Sequence, residues 1–520
     1  MRAFRIVAGL ASAAFALAGC VTTAPPLREL PLPYAFASVT EGGARPVDPA
    51  VMTRWWRSFD DPVLAEFVGT GLRRNLDIQM ALADIRAARA QLRQASAGLL
   101  PAFDTPVQGS RQWVENPLRG TEVGEAVGLA GRTIRVDTWQ AAIEGQWQPD
   151  LFGAARARRQ AAGRQLGAAE AEAVAARIAV AANIAQGYVQ TRALIARRAA
   201  LEELIAVAQE SERATRGFFE LGQVTQLDVA AASAERASAQ SQRGDLEASL
   251  VQATFALDTL MDQPPGTART RMGARGTIPL ARVRIPTGQP LDLLQRRPDV
   301  IAATASLDAA ELQALAARRD LFPQLGLSAS ATRMGFSLAD LSSTSNMADV
   351  AAQLTFPWLS PANWAAVPVA DADVERGFVG LRQAVATAVE EVEVAAGELD
   401  VRRRQQAAMD EAVNLQGERL RLARRTYETG FSNLTEVLEA QQALLEARQS
   451  AIEARLALAN AQISLWVALG GGWQVPGAMP PARTPPAPDG LDAGLANVAA
   501  DLTADPIPDR IRRDAPAAGL

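Results

Sequence analysis

The stretch NLDIQMALADIRAARAQLRQASAGLLP, Asn75 to Pro101, is written a second time as RPDVIAATASLDAAELQALAARRDLFP, Arg297 to Pro323. Asp77 falls opposite Asp299 and Pro101 opposite Pro323, an offset of 222 residues. A second pair of echoes lies downstream. FFELGQVTQLDV (Phe218 to Val229) matches TYETGFSNLTEV (Thr426 to Val437), which aligns Gly222 with Gly430 and Asp228 with Glu436 at an offset of 208. The first copy is therefore the longer one between its short helix and its tip. Units this large point to a structural duplication, because solenoid repeats are far shorter.

Each copy reads in the same order. A helix from Leu76 to Leu100 is halted by Pro101, and two segments of period-two alternation follow. In copy one these are Phe103, Thr105, Val107, Gly109 and Trp113, then Trp139, Ala141, Ile143, Gly145 and Trp147, with a loop over Asn116 to Gly131. In copy two they are Leu325 to Ala331 and Val350 to Trp358, with a loop over Ser337 to Asn346. Aromatic residues near the ends of alternating strands fit a transmembrane barrel. A soluble hairpin or sandwich edge fits the same alternation. Four strands cannot close a barrel around a lumen, so a barrel requires strands from several subunits.

Long helical stretches come next. The spacing predicts a helix from Phe152 to about Arg216, a break over Gly217 to Gln223, and a partner helix to about Asp262. At 1.5 Å per residue these are roughly 100 Å and 60 Å long, and the Leu76–Leu100 helix adds roughly 38 Å. The two shorter helices laid end to end match the long one, which predicts a rod of one continuous and one spliced strand. The last helix carries a narrow stripe, Leu434, Leu438, Leu445, Ile452, Leu456, Ala459, Ile463 and Trp466, interrupted by Gln441 and Arg448. That is the pattern of an antiparallel coiled coil.

Composition narrows the chemistry. The 520 residues contain no His, and every basic residue is Arg, so imidazole bases and ligands, Schiff-base lysines and P-loop lysines are excluded. Net charge is −5 without a basic block, which argues against a nucleic-acid partner. Carboxylates scatter over helix surfaces, so no catalytic, cofactor or metal residues are assigned and an enzyme is not expected. No later stretch of about 18 apolar residues follows the start of the chain, so no transmembrane helix is expected.

The start itself reads as a secretory signal: Arg2 and Arg5, then the apolar run Ile6 to Leu17. Leu17-Ala18-Gly19-Cys20 resembles a bacterial lipobox, which makes Cys20 the lipidated first residue of the mature chain. The alternative is an ordinary signal peptide that contains a cysteine. Cys20 is the only thiol, so no disulfide forms. The resulting organisation is a signal over 1–19, a tether and equatorial segment over 20–60, repeat one over 61–262 and a linker over 263–296. Repeat two spans 297–470, and a Pro-, Ala- and Asp-rich tail, expected to be partly disordered, spans 471–520.

WWRSFDDPVL (Trp55 to Leu64), Asn75-Leu76-Asp77, WQPDLFG (Trp147 to Gly153), LLQRRPDV (Leu293 to Val300), Leu321-Phe322-Pro323 and the two glycine-containing tips together carry a family. The chain resembles the TolC-like outer membrane factors of tripartite efflux pumps, in their lipoprotein branch. The resemblance runs from about Trp55 to Leu469 and implies a mainly α fold with a small membrane β part. It implies a homotrimer whose pooled strands form one twelve-stranded barrel, continued by a hollow periplasmic barrel of twelve helices. The chain would then be a passive exit duct for drugs or small toxic compounds, with no cofactor. It would sit in the outer membrane with Cys20 lipidated, working with a periplasmic adaptor and an inner-membrane pump of the RND (proton-driven) type.

The same resemblance implies roles for particular residues. Gly222, Gln223, Val224 and Thr225 in one tip and Gly430, Phe431, Ser432 and Asn433 in the other would contact the adaptor. Glu436 and Glu439 would form acidic rings at the periplasmic constriction, and Tyr427 with Asp228 would latch neighbouring coils. The companion arginine link is missing. Ser432 and Leu227 occupy its places, which implies either a weaker latch or other partners such as Arg424 or Arg425. The Asp-Gly-Gly stretch that tends to follow the last strand is replaced by Trp358 to Trp364, so Pro357 and Pro361 must make that bend, as Pro149 does in copy one. Two other readings stay open: an exit duct for type I protein secretion, and a periplasm-spanning structural lipoprotein without a pore.

Overall fold

The computed structural model describes residues 36–37, 49–115, 119–122, 133–274, 276–282, 285, 290–338 and 341–473. The signal sequence, Cys20, most of the tether, most of the loop after Asn116 and the tail beyond Trp473 lie outside the described residues.

The WWRSFDDPVL motif builds the entry to the helices. Trp55, Trp56 and Phe59 are buried in a short 3-10 turn. Asp61 then caps helix α1 (Pro62–Arg74), its carboxylate accepting from the N–H groups of Val63 at 2.9 Å and Leu64 at 3.1 Å. Pro62 fills the first turn, where an N–H would have no partner anyway. The other oxygen of Asp61 accepts from the Tyr188 hydroxyl at 2.7 Å, tying this segment to the first long helix.

Helix α2 (Leu76–Ala97) leads to strands β1 (Ala102–Asp104), β2 (Val107–Glu115) and β3 (Thr133–Trp147). Helix α3 (Ala154–Glu220, 67 residues) and helix α4 (Gln226–Leu260, 35 residues) complete the first copy. The linker carries short helices over Thr267–Met272 and Pro290–Arg296. The second copy is helix α5 (Pro298–Arg319), strands β4 (Gln324–Leu338) and β5 (Leu341–Thr355), then helices α6 (Pro361–Glu428, 68 residues) and α7 (Leu434–Ala468, 35 residues). Corresponding helix ends in the two coiled coils keep the 208-residue offset: Glu220 with Glu428, Gln226 with Leu434, Leu260 with Ala468.

The helices form columns side by side. Long α3 packs against α2 and α4 on one flank and against α5 and α7 on the other, and α6 packs against α5 and α7. The order is spliced, continuous, spliced, continuous. A spliced column (α2 with α4) therefore forms one edge and a continuous one (α6) the other. Large apolar side chains stay exposed on both edge columns, among them Met80, Leu82 and Phe255 on one and Val379, Val394 and Leu415 on the other.

Each splice is held by one polar side chain. In copy one Asn75 accepts from the N–H groups of Asp77 (2.9 Å) and Ile78 (3.2 Å), and its amide donates to the Leu260 carbonyl at 2.8 Å. In copy two the aligned residue is Arg297, which donates to the Ala468 carbonyl at 3.1 Å and to both Asp299 oxygens at 3.0 and 2.6 Å. Arg297 also pairs with Glu391 of α6. Beside these joints lies the main apolar core, with Trp55, Leu64, Tyr188, Ile184, Leu257, Met261 and Trp466 almost wholly buried. The linker closes over it: Gln462 brackets Ala281, accepting at 2.9 Å and donating at 3.1 Å, and Arg455 donates to the Ile278 carbonyl at 2.8 Å.

The strands form one antiparallel sheet ordered β1/β2, β3, β4, β5. Pro106 has no N–H and interrupts the ladder between β1 and β2, although the register against β3 runs on unshifted. Residues directly opposite share a face. Phe103, Val107, Trp139, Ile143 and Trp147 thus lie with Leu327, Ala331, Val350 and Leu354 on one face. The other face carries Gln108, Ser110, Gln140, Glu144, Ser328, Ser330 and Asp349.

The structure corrects several boundaries. The Ser337–Asn346 segment, expected to be a loop, is largely strand, with Ser337 opposite Ser342 and Arg333 opposite Asn346. Ser and Thr side chains satisfy a pleated ladder without apolar alternation, which hides the signal. The first long helix runs through Gly217 to Glu220 rather than ending at Arg216. Helix α6 starts at Pro361 and accommodates Pro368 within it. Helix α5 is by length and composition apolar enough to cross a membrane, contrary to expectation. It lies between α3 and α6 with Ala302, Ala309, Ala314 and Ala316 buried.

At the sheet-to-helix joint the WQPDLFG motif folds against the end of α5 and the Leu321-Phe322-Pro323 segment. Phe152 stacks on Phe322 with ring centroids 4.9 Å apart, and Arg319 donates to the Gly153 carbonyl at 3.0 Å. Asp150 accepts from the N–H groups of Ala155 and Arg156 at 3.2 and 2.9 Å. Burial pushes its carboxyl up, but these bonds and the Arg156 guanidinium outweigh it and hold the group below the usual range.

Candidate functional site

The helical ends farthest from the sheet hold most of the residues singled out from the sequence. Both reversals have one backbone design. In the first, Gly222 adopts φ +71°, its N–H donates to Phe219, and Gln223 N–H donates to Phe218 at 2.9 Å. In the second, Gly430 adopts φ +76°, its N–H donates to Tyr427, and Phe431 N–H donates to Thr426 at 2.9 Å. This is the left-handed helix stop for which glycine is the residue of least strain.

The helices that follow are capped differently. Thr225 and Asp228 form a reciprocal capping box, with the Asp228 Oδ2 accepting from both the Thr225 hydroxyl and its N–H at 2.7 Å. The hydroxyl bond first, then the N–H bond, lowers the Asp228 pKa. Oδ1 of this exposed residue accepts no bond among the described residues. In the second tip Asn433 accepts from the Glu436 N–H at 3.0 Å and nothing reaches back. The Glu436 and Glu439 carboxylates are exposed one turn apart.

Tyr427 is exposed on the last turn of α6, and within this chain it makes no hydrogen bond to Asp228 among the described residues. Val224 and Ser432 are half-buried, while Thr225 and Asn433 are exposed. The Ser432 hydroxyl is shut away from solvent with no partner among the described residues. Phe431 (89% exposed), an expected contact residue, projects from its tip, as do Leu227 (77%) and Leu221 (72%), which the sequence did not nominate as contacts. Cys20 lies outside the described residues. Among the described residues no cluster of three metal-ligating side chains occurs.

Behind the tips the two coiled coils are held by opposite chemistry. In copy one Glu212 of α3 accepts from Ser233 at 2.8 Å and from Arg236 at 2.6 Å, both on α4, and from Arg216 at 3.0 Å. The Ser233 bond first, with Arg236 beside it, lowers the Glu212 pKa. The residues aligned with Glu212 and Arg236 are Leu420 and Leu444, and in copy two they sit in an apolar cluster with Val437 and Ala440. The stripe read from the sequence of α7 splits here. Leu434, Leu438 and Leu445 face Leu204 and Val207 of α3, in the other copy. Arg448, which interrupts the stripe, donates to Glu203 of α3 at 2.8 Å. The clasp at Glu212 was missed, though comparing the copies at the 208-residue offset would have exposed it.

Comparison with known proteins agrees with this architecture. The family model for outer membrane efflux proteins matches residues 68–263 and again 290–471, one block in each copy. Nodulation protein T of Rhizobium leguminosarum bv. trifolii is 29% identical over 443 residues, covering 82% of this chain and 89% of its own. The pyoverdine export outer membrane protein OpmQ of Pseudomonas putida is 28% identical, covering 88% and 96%. The Campylobacter jejuni CmeC outer membrane channel superposes with a TM-score of 0.71 at 23% identity, covering 88% and 95%, a likeness of fold.

Proposed function

The chain belongs to the outer membrane efflux protein family, and on that premise we propose that three copies close into a duct running from the periplasm through the outer membrane. The protein is the outer membrane channel component of an efflux system. The supporting observation is the pair of unfinished edges. The helical layer ends in a spliced column on one side and a continuous column on the other, each with exposed apolar residues. Each pair of neighbouring columns described above sets a spliced column against a continuous one, so a neighbour's α6 against α2 and α4 repeats that packing. The sheet likewise ends in the free edges of β1/β2 and β5. Head-to-tail contacts of this kind generate rings when the rotation closes. The polar face of the sheet then lines the lumen and the apolar face meets lipid.

The working partners are a periplasmic adaptor at the tips and an inner-membrane pump of the RND type, and the cargo is small toxic or secreted compounds. Lipidation at Cys20 adds an anchor. The carboxylates of Glu436 and Glu439, without a partner among the described residues, form acidic rings at the periplasmic mouth that attract cations. The Tyr427 hydroxyl donates to the open Oδ1 of Asp228 on a neighbouring coil and holds the mouth closed. Opening requires an adaptor that binds the open state more tightly.

The test is the purified protein in detergent and planar bilayers. A trimer mass with discrete single-channel currents is expected, and Tyr427→Phe should raise the conductance several-fold. A monomer without sheet signal overturns the duct, and unchanged currents in Tyr427→Phe overturn the latch.

A further inference from the structure

We propose that the lipid-facing side of each subunit's sheet seats one phosphorylated glycolipid of the outer leaflet, with Arg333 holding a phosphate and an alanine-lined trough taking an acyl chain. The inference rests on the membrane orientation just given.

Three small residues, Ala141, Ala331 and Ala348, lie on the apolar face of the neighbouring strands β3, β4 and β5. A hollow of about 670 Å³ opens over them, flanked by Val107 and Ile143 and topped by Arg333 and Asn346. The register puts Arg333 opposite Ala141 on one side and Asn346 on the other, so guanidinium and amide share the trough's upper end. The hollow reaches across the sheet, from Val107 on the β2 edge strand to Asn346 and Ala348 on the β5 edge strand.

Charge singles out Arg333. The other arginines on this face, Arg111 and Arg135, both pair with Asp137, Arg111 at 2.7 Å and Arg135 at 3.3 Å. Arg333 has no hydrogen bond or ion pair among the described residues. A cation on a lipid-facing surface is tolerated when its head reaches the interface along an apolar stem. Trp147 marks the lower aromatic girdle, and at ~3.4 Å per residue along a strand tilted ~40° Arg333 starts about 16 Å above it. The hydrocarbon band is about 25 Å tall, so an upward-pointing arginine, helped by the Trp139 ring two residues higher, brings its guanidinium to the level of outer-leaflet phosphates. An unpaired guanidinium fork suits a phosphate monoester, and a largely apolar trough beneath suits an acyl chain. The outer leaflet of an outer membrane supplies both groups in one molecule.

Native mass spectrometry of the detergent-solubilised trimer, titrated with lipid A, dephosphorylated lipid A or phosphatidylglycerol, tests this. Up to three lipid A molecules per trimer are expected, with the dephosphorylated form at least tenfold weaker. Arg333→Gln and the trough-filling Ala331→Leu should each lose about tenfold in lipid A affinity, while Arg111→Gln, whose arginine is already ion-paired, should not. Equal lipid A binding by wild type, Arg333→Gln and Ala331→Leu overturns the seat, and phosphatidylglycerol binding as tightly as lipid A overturns the glycolipid. The same spectra report trimer mass, so failure of the seat is separable from failure of the assembly.

Discussion

The two copies share a backbone but are held by different chemistry at the same places. At the splice, copy one uses a neutral amide, Asn75, and copy two a guanidinium, Arg297, each donating to the last carbonyl of the other short helix, Leu260 or Ala468. Behind the tip, copy one uses the Glu212–Arg236 clasp and copy two the Leu420–Leu444 cluster. The duplicated fold therefore specifies where fastening is needed and leaves the kind of fastener free. Because Arg297 also grips Glu391 on α6, the copy-two splice is bound to its edge column, whereas Asn75 acts only within its own joint.

The largest effect is expected at that difference. Arg297 is almost buried, so Arg297→Ala leaves Asp299 and the Ala468 carbonyl without their partner and should cost about 3 kcal/mol. The figure sits at the low end for a broken ion pair because Asp299 and Glu391 keep contact with water. Asn75→Ala loses a cap and one buried bond, about 2 kcal/mol. Their pH dependence separates them. Burial pushes the Asp299 carboxyl up, but its bonds from Arg297 prevail and hold its folded pKa below the unfolded value. The ion-pair contribution is thus present above the unfolded pKa near ~3.9 and is lost as pH falls through the folded one. Guanidinium unfolding followed by circular dichroism should show the Arg297→Ala penalty shrinking in acid and the Asn75→Ala penalty staying flat. Two flat profiles would mean that both staples work by hydrogen bonding alone.

The tip clasps give the next effect. Leu444→Ala opens a cavity among Leu420, Val437 and Ala440 and should cost about 2 kcal/mol regardless of salt. Glu212→Gln weakens a partly exposed ionic clasp, so its effect should be visible at low ionic strength and fade as salt rises. Acid acts in the same direction. The Glu212 pKa is depressed, so its contribution is lost as pH falls through that lowered value. Amide exchange at the two tips reads both. Salt-insensitive exchange at the Gly222 tip would erase the contrast between the copies.

Much of the architecture was legible because repetition amplifies weak signals. The echoes around Asn75 and Arg297, and around Gly222 and Gly430, located the helix starts and the reversals before any contact was visible. The strands of copy two were underestimated because Ser337 to Asn346 satisfies a ladder with small polar side chains, which carry no apolar period. The facing of α7 was illegible for another reason. A stripe tells that a face is buried but not which helix covers it, and here Leu438 and Leu445 meet α3 of the other copy while Leu444 meets α6. At the tips the sequence located Asp228 but could not reveal that the capping box commits one carboxylate oxygen and leaves the other open.

The smallest effect concerns the helix stop at each splice. Asp262 and Gly470 stand at corresponding positions, both with positive φ, +48° and +74°. Both stops close with the same pair of backbone bonds, Gln263 to Asp258 and Gly471 to Trp466 at 2.9 Å. Copy two requires glycine, because a Cβ at 470 would meet the Arg296 carbonyl oxygen at 2.7 Å. Copy one has room for a side chain and tolerates the strained backbone, while the Asp262 carboxylate makes only a long, exposed pairing to Arg74 at 3.7 Å. Asp262→Gly should therefore remove a left-handed penalty of about 1 kcal/mol, partly offset by the extra chain entropy glycine brings, for a net gain of about 0.5 kcal/mol. A small upward shift of the guanidinium midpoint is the expected result. A clear loss of stability would instead show that the Arg74 pairing outweighs the strain, making the two stops functionally distinct despite their shared geometry.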